Sequence, residues 1–277
     1  MKHSMFVFLF TFFSLTACSG QNGVKKAEEQ PLRKHFTIPA IPSVLTTTQQ
    51  KAEFVMRHYW DHFDFSDTTL IPRADYTEQA FADFVNMLPH VPAPLASRGI
   101  DTLMTRAAAD SAMYAHFMEL SEKYLYEPNS PFRNEELYIG FLRHIVANEN
   151  LEDILKVRPQ YQLDMALKNR VGHKASDFGY TTLKGGKTRL YAANGERILL
   201  FFFRPDCSTC KETKEYVRAH GVDKLVEIVW VDPDKDTHID ALYDLRASPT
   251  LYLLDKDKRV LLKDATIETI EQYLKTQ

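Results

Sequence analysis

The chain has 277 residues, 44% hydrophobic and 26% charged, and carries a formal net charge of -3. That length accommodates two ordinary domains, and so even a charge balance excludes the basic footprint of a nucleic-acid binder. Aromatic residues are plentiful, with 18 Phe and 13 Tyr, whereas there are only 3 Cys.

The first element is an N-terminal leader. Lys2 gives a short positive start, and Met5 to Phe13 is an apolar run interrupted by Thr11. The run is too short to span a bilayer but has the length of a signal-peptide core. It ends in Leu15-Thr16-Ala17-Cys18, which resembles the lipobox of bacterial lipoproteins. The resemblance implies cleavage after residue 17 and a diacylglyceryl group on Cys18. A lipid-anchored protein of the cell envelope is expected, facing the periplasm on the outer rather than the inner membrane. No later apolar run reaches membrane-spanning length, so the lipid would be the sole attachment. Residues 18–46 are polar, Pro-bearing and aperiodic, as in a flexible tether.

A helical domain is expected over residues 47–170. In the first segment Phe54, Val55, Tyr59 and Phe63 recur near the helical period, and Phe81, Phe84, Val85 and Leu88 do so in the next. The spacing predicts one long helix from about Ser97 to Leu125, another opening at Pro131 after Ser130, and a short one over Pro159 to Asn169. His58 and His62 stand four apart beside Asp61 and Asp64, a spacing that could chelate a metal. They also follow the apolar face, so packed helix residues are the better reading.

From residue 171 to 277 the pattern changes to α/β. "TRLY" and "RILLFFF" are strand-like runs, and Asn194-Gly195 between them predicts a hairpin. The continuous run Ile198 to Phe203 suits a strand buried on both faces. The helical stretch "CKETKEYVRAHG" follows, stopped by Gly221. Next come a strand "LVEIVWVD", a helix "DTHIDALYDL", strands "TLYLLD" and "RVLL", and a final helix "TIETIEQYLK". "VDPDKD" lacks the glycine and closing glutamate of a calcium loop and reads as a helix cap.

Cys207 and Cys210 sit where the buried strand meets its helix. A cysteine at a helix N-terminus faces free backbone N–H groups and the positive end of the helix dipole, which favour its thiolate, the attacking species in thiol–disulfide exchange. Cys207 is then the nucleophile, and Cys210, one turn inside, the resolving thiol. A structural staple explains little, since so short a loop constrains the unfolded chain only slightly. The pair supplies only two of the four ligands that zinc takes, and no second cluster lies nearby in sequence; copper(I) transfer by two thiolates is the remaining metal reading. No metal and no cofactor is assigned.

The element order over 171–277 resembles the thioredoxin fold, and "VGHKASDF...TTLKGGKTRLY" looks like the N-terminal hairpin of TlpA/ResA-type proteins. The whole chain resembles Bacteroidetes lipoproteins in which a helical domain of unknown function precedes a thioredoxin-like one, on the strength of "HYWDHFDFSD" and "QYQLDMALKNRVGHKASDF". The resemblance implies a cis-proline facing the CxxC, here Pro249, with Ser248 before it offering backbone groups to the substrate. Three departures stand out. Pro205-Asp206 replaces the usual Trp before the first cysteine, and Phe201 stands where thioredoxin buries a carboxylate. Ser208-Thr209 brings no cation. Asp206 is anionic or a helix cap, and Arg204 and Lys211 oppose its charge. A moderately activated thiol follows, hence a reductase or isomerase of protein disulfides acting on cysteine-containing envelope proteins with an unidentified redox partner. The alternative is a lipid-anchored binding protein whose thioredoxin-like half is a docking module.

Overall fold

The computed structural model describes residues 35–236 and 238–276. The leader, Cys18 and the tether up to residue 34 lie outside the described residues. From residue 35 the chain lies on the helical half. Phe36 packs on Tyr59 and Trp60, with ring centroids 5.1 and 5.6 Å apart.

Six helices build that half: α1 (Thr48–His58), α2 (Gln79–Met87), α3 (Ala93–Ala107), α4 (Ser111–Leu125), α5 (Glu135–Ala147) and α6 (Asp153–Ala166). Thr47 and Gln50 form a capping box that starts α1. The long helix expected over 97–125 is two helices. The Asp110 carboxylate accepts the N–H groups of Ala112 and Met113, each at 2.9 Å, and so caps a new helix after a turn. Likewise Asn134 accepts from Leu137 N at 3.1 Å, so α5 starts there rather than at Pro131. Helix α6 begins earlier than expected and contains Pro159 in its interior. Trp60, Phe63, Phe65, Phe84 and Phe117 interlock as an aromatic core, with Trp60 and Phe117 centroids 5.5 Å apart.

In the α/β half, β1 (Gly179–Thr181) and β2 (Lys187–Arg189) form an antiparallel pair of their own. The main sheet contains β3 (Arg197–Phe202), β4 (Glu227–Val231), β5 (Thr250–Asp255) and β6 (Val260–Lys263), in the order β4-β3-β5-β6. β3 runs parallel to β4, while β5 is antiparallel to both β3 and β6. Helices α7 (Ser208–Ala219) and α8 (Ile267–Thr276) complete it. As its apolar run requires, β3 is buried on both faces. Leu199 and Phe201 face Val217 and Ile270, whereas Ile198, Leu200 and Phe202 face Ile239 and Tyr243. This is a thioredoxin-like fold behind an all-helical region.

Two expectations fail here. Asn194-Gly195 does not turn a hairpin between "TRLY" and "RILLFFF": Leu190–Ala192 is a 3-10 turn, and the Asn194 and Gly195 N–H groups both donate to Glu227 Oε2. A Cβ on Gly195 would stand 2.7 Å from the Glu227 Cβ, so this close approach, not a turn, selects glycine. Residues 238–243 are turns and bends, not the expected helix, because His238 adopts a left-handed φ of 78° that a helix cannot continue through. "VDPDKD" therefore caps no helix. Asp236 instead accepts from Thr181 N and Oγ1, each at 2.8 Å.

Polar contacts join the halves. Asn169 Nδ2 donates to Leu242 O at 2.7 Å, and its Oδ1 accepts from Ser176 N at 2.7 Å. Arg133 pairs with Asp264 at 2.8 Å, and Lys263 pairs with Glu135. Arg246 lies 3.4 Å from the Tyr126 ring centroid.

Candidate active site

β3 delivers the chain to the sheet end, residues 203–206 turn it, and Cys207 becomes the N-cap of α7 in extended conformation. Asp206 is exposed and does not cap the helix; the cap role belongs to Cys207, whose Sγ accepts the Cys210 N–H at 3.0 Å. That contact aims a backbone donor and the helix dipole at the sulfur. Cys207 is partly exposed, and Cys210 retains 1% of its surface. The two are joined as a disulfide across a Cα–Cα distance of 5.2 Å.

Ser248 and Pro249 lie directly across, joined by a cis peptide bond just ahead of β5. Ser248 O stands 3.4 Å from Cys207 Sγ, and Ser248 Oγ stands 3.2 Å from Cys210 Sγ. All four residues singled out by the sequence thus converge. The floor is apolar, with Phe201 wholly buried in the position expected of thioredoxin's carboxylate. Lys214 Nζ sits 3.4 Å from the Phe203 ring centroid and 5.3 Å from that of Trp230, and burial pushes its pKa below the usual lysine value.

Sequence reasoning missed two features. Lys214 is four residues after Cys210, one turn along the same helix, a spacing that could have placed it on the Cys210 side of α7, where it meets the Phe203 and Trp230 rings. The Ser248 hydroxyl contact to Cys210 leaves no periodic signature. The histidine pair, by contrast, disperses. α1 ends at His58, which bonds Asp61 at 2.7 Å, while His62 contacts Thr37 O at 3.1 Å. Among the described residues no three His, Cys, Asp or Glu side chains are grouped to hold a metal ion, and no helix is long and apolar enough to cross a membrane.

Residues 17–169 match the family model "Domain of unknown function (DUF5106)". The chain belongs to the DUF5106 family. Its remaining portion, residues 171–266, matches the AhpC/TSA family. The crystal structure of a thioredoxin-like protein from Bacteroides caccae superposes on this DUF5106 protein with a TM-score of 0.80 at 39% identity, covering 88% of this chain and 99% of that one. Thiol-disulfide oxidoreductase ResA of Bacillus cereus is 28% identical over 135 residues, which is 39% of this chain and 78% of that relative. ResA of Bacillus anthracis is 27% identical over 136 residues, 39% of this chain and 79% of the relative. With its Cys207–Cys210 disulfide, the DUF5106 protein is a ResA-like thiol–disulfide oxidoreductase.

Proposed function

We propose that this protein reduces or rearranges disulfides of cysteine-containing envelope proteins, held at the membrane by lipid on Cys18. The observation that carries the redox roles is the asymmetry of the pair: Cys207 is accessible at the N-terminus of α7, and Cys210 is buried one turn inside. In the reduced protein, the Cys207 thiolate attacks one sulfur of a substrate disulfide. A Cys207–substrate bond forms, the substrate S–S bond breaks, and the departing sulfur leaves as a thiolate that takes a proton from water. Deprotonated Cys210 then attacks Cys207 Sγ, expelling the second substrate thiolate and forming the Cys207–Cys210 disulfide. Two electrons pass from the protein to the substrate, and a dithiol redox partner restores them. Throughout, Ser248 offers its backbone beside Cys207 and its hydroxyl beside Cys210.

The anchor rests on the Leu15-Thr16-Ala17-Cys18 sequence after a signal-length apolar core. Cys18→Ala is expected to release the protein from the membrane fraction or leave it unprocessed; unaltered partitioning would refute the anchor. For the redox roles, Cys207→Ser is expected to abolish dithiol-dependent reduction of insulin, while Cys210→Ser accumulates a mixed disulfide through Cys207. Undiminished insulin reduction by Cys207→Ser would overturn the enzymatic roles and leave a docking module. The flanking Ser208, Thr209 and Asp206 supply no cation, so a reduction potential between about -180 and -270 mV is expected, and one near -120 mV would contradict a reductase or isomerase.

A further inference from the structure

Helix α6 has an outer face that a helix in water does not normally present. Ile154, Val157 and Tyr161 are 72%, 62% and 60% exposed. Spaced i, i+3 and i+7, they fall within an arc of roughly 60° and form one apolar row. Isolated exposed apolar side chains are ordinary, whereas a contiguous row marks a contact surface. The inner face is meanwhile occupied, since Gln162, Leu163 and Ala166 are buried against the helical half.

The row leads somewhere specific. Tyr161, with the buried Met165 one turn on, forms one wall of a groove of about 250 Å³ whose opposite wall includes Leu245 and the charged Arg204, Asp244 and Arg246. Arg204 is three residues before Cys207, and Arg246 is two before Ser248. The groove is thus lined by residues close in sequence to both Cys207 and Ser248, and the apolar row of α6 continues from Tyr161. Its far wall is braced. Arg246 donates to the Asp244 carboxylate at 2.9 Å and to Tyr126 O at 3.3 Å, so the loop is fixed against the helical half.

We propose that the groove and the outer face of α6 bind the polypeptide that flanks the disulfide being attacked, selecting substrates with apolar residues beside their cysteine. Nearness to the sulfur site identifies the occupant as this polypeptide: a chain joined to Cys207 must leave the site along one of its sides, and on the α6 side it meets the exposed apolar side chains of Tyr161, Val157 and Ile154. Seven residues of α6 span about 10 Å, which matches three residues of extended chain. The selected class is chains that still expose core-type residues next to a disulfide, that is, incompletely folded proteins. The proposal rests on the thiol–disulfide reading above.

The test uses the full-length protein and its Val157→Ser/Tyr161→Ser variant, both side chains being exposed and outside the fold's core. Three probes are reduced: bis(2-hydroxyethyl) disulfide, a peptide disulfide with Leu and Val beside each cysteine, and a matching peptide with Ser and Gly there. Wild type is expected to prefer the apolar peptide over the polar one by roughly fivefold or more in kcat/KM. The variant should lose that preference through KM, with the other two probes unchanged within about twofold. Equal wild-type rates on the two peptides, or an equal loss on all three probes, would overturn the proposal. So would a variant that converts a dimer to a monomer in sedimentation while keeping wild-type peptide kinetics, since the occupant would then be a second copy. Failure of wild type to reduce any of the probes would instead overturn the oxidoreductase reading, and this proposal with it.

Discussion

The contact between Glu135 on α5 and Lys263 on β6 makes the stability of this protein depend on pH near neutrality. Glu135 is largely buried, and its Oε1 has no hydrogen-bond partner among the described residues. Burial outweighs the Lys263 ammonium and pushes the Glu135 pKa from 4.5 up to about 7. An acid whose folded value is raised holds its proton more tightly in the folded state, so its contribution to stability is full below the unfolded value and is lost as pH rises from there through 7. Between pH 5.0 and 7.5 the loss amounts to about 2 kcal/mol, from roughly 1.4 kcal/mol per unit. Buried Asp264 is raised as well and acts in the same direction, while His116, lowered by burial, opposes it.

Glu135→Gln isolates the contribution, because an amide does not titrate. The substitution leaves Lys263 with the Lys168 carbonyl at 2.9 Å, and whatever offset it causes, the variant's own stability no longer changes with pH through this position. The informative quantity is therefore the difference in slope, not the offset. Urea unfolding at both pH values should show wild type losing about 2 kcal/mol more than the variant as pH rises. Identical losses in the two proteins would refute the assignment of a raised pKa to this carboxyl. A loss in wild type at low pH instead would mean that the ion pair, not desolvation, governs the site.

Phe117→Ala should cost about 3–5 kcal/mol in urea unfolding, since its fully buried ring packs on Trp60, Phe63 and Phe81. Ser248→Ala should slow resolution of the mixed disulfide several-fold in quenched-flow mass spectrometry while sparing the first attack, because Oγ contacts Cys210 and not Cys207. A 171–277 fragment should give a folded circular dichroism spectrum and still reduce bis(2-hydroxyethyl) disulfide, as both cores flanking its sheet are built from residues within it.

The redox pair and its surroundings were readable because each leaves a compositional mark: an unbroken apolar run for β3, a CxxC at its end, and a proline ahead of a second apolar run. What escaped was backbone direction between marks. Ala107, Ala108 and Ala109 are strong helix formers, yet the chain leaves the helix there because Asp110 caps the next one. Ile239 and Tyr243 have helical spacing and are both buried, but turns around His238 bring them to the sheet without a helix. Periodicity records which side chains are covered, and more than one backbone path can cover them. Asn194-Gly195 errs for a similar reason, since a glycine demanded by the approach of Glu227 looks the same in sequence as one demanded by a turn.

The same distinction bears on what the helical half contributes to the chemistry. The loop that presents Ser248 is fixed at one end by Thr250, whose hydroxyl donates to Ala247 O at 2.8 Å. At its other end Arg246 rests on Tyr126, which in turn stacks on Tyr138 with centroids 4.8 Å apart. One anchor is thus intrinsic to the thioredoxin-like half, and the other comes from the DUF5106 domain. With Phe201 in place of a carboxylate, the polar group bonded to the Cys210 sulfur is the Ser248 hydroxyl, carried by this loop. A displaced loop would leave a buried sulfur without that partner, and burial alone disfavours the thiolate needed for the second step. In the cycle proposed above, the helical domain would thus support Cys210 through Arg246, while both cysteines belong to the thioredoxin-like half.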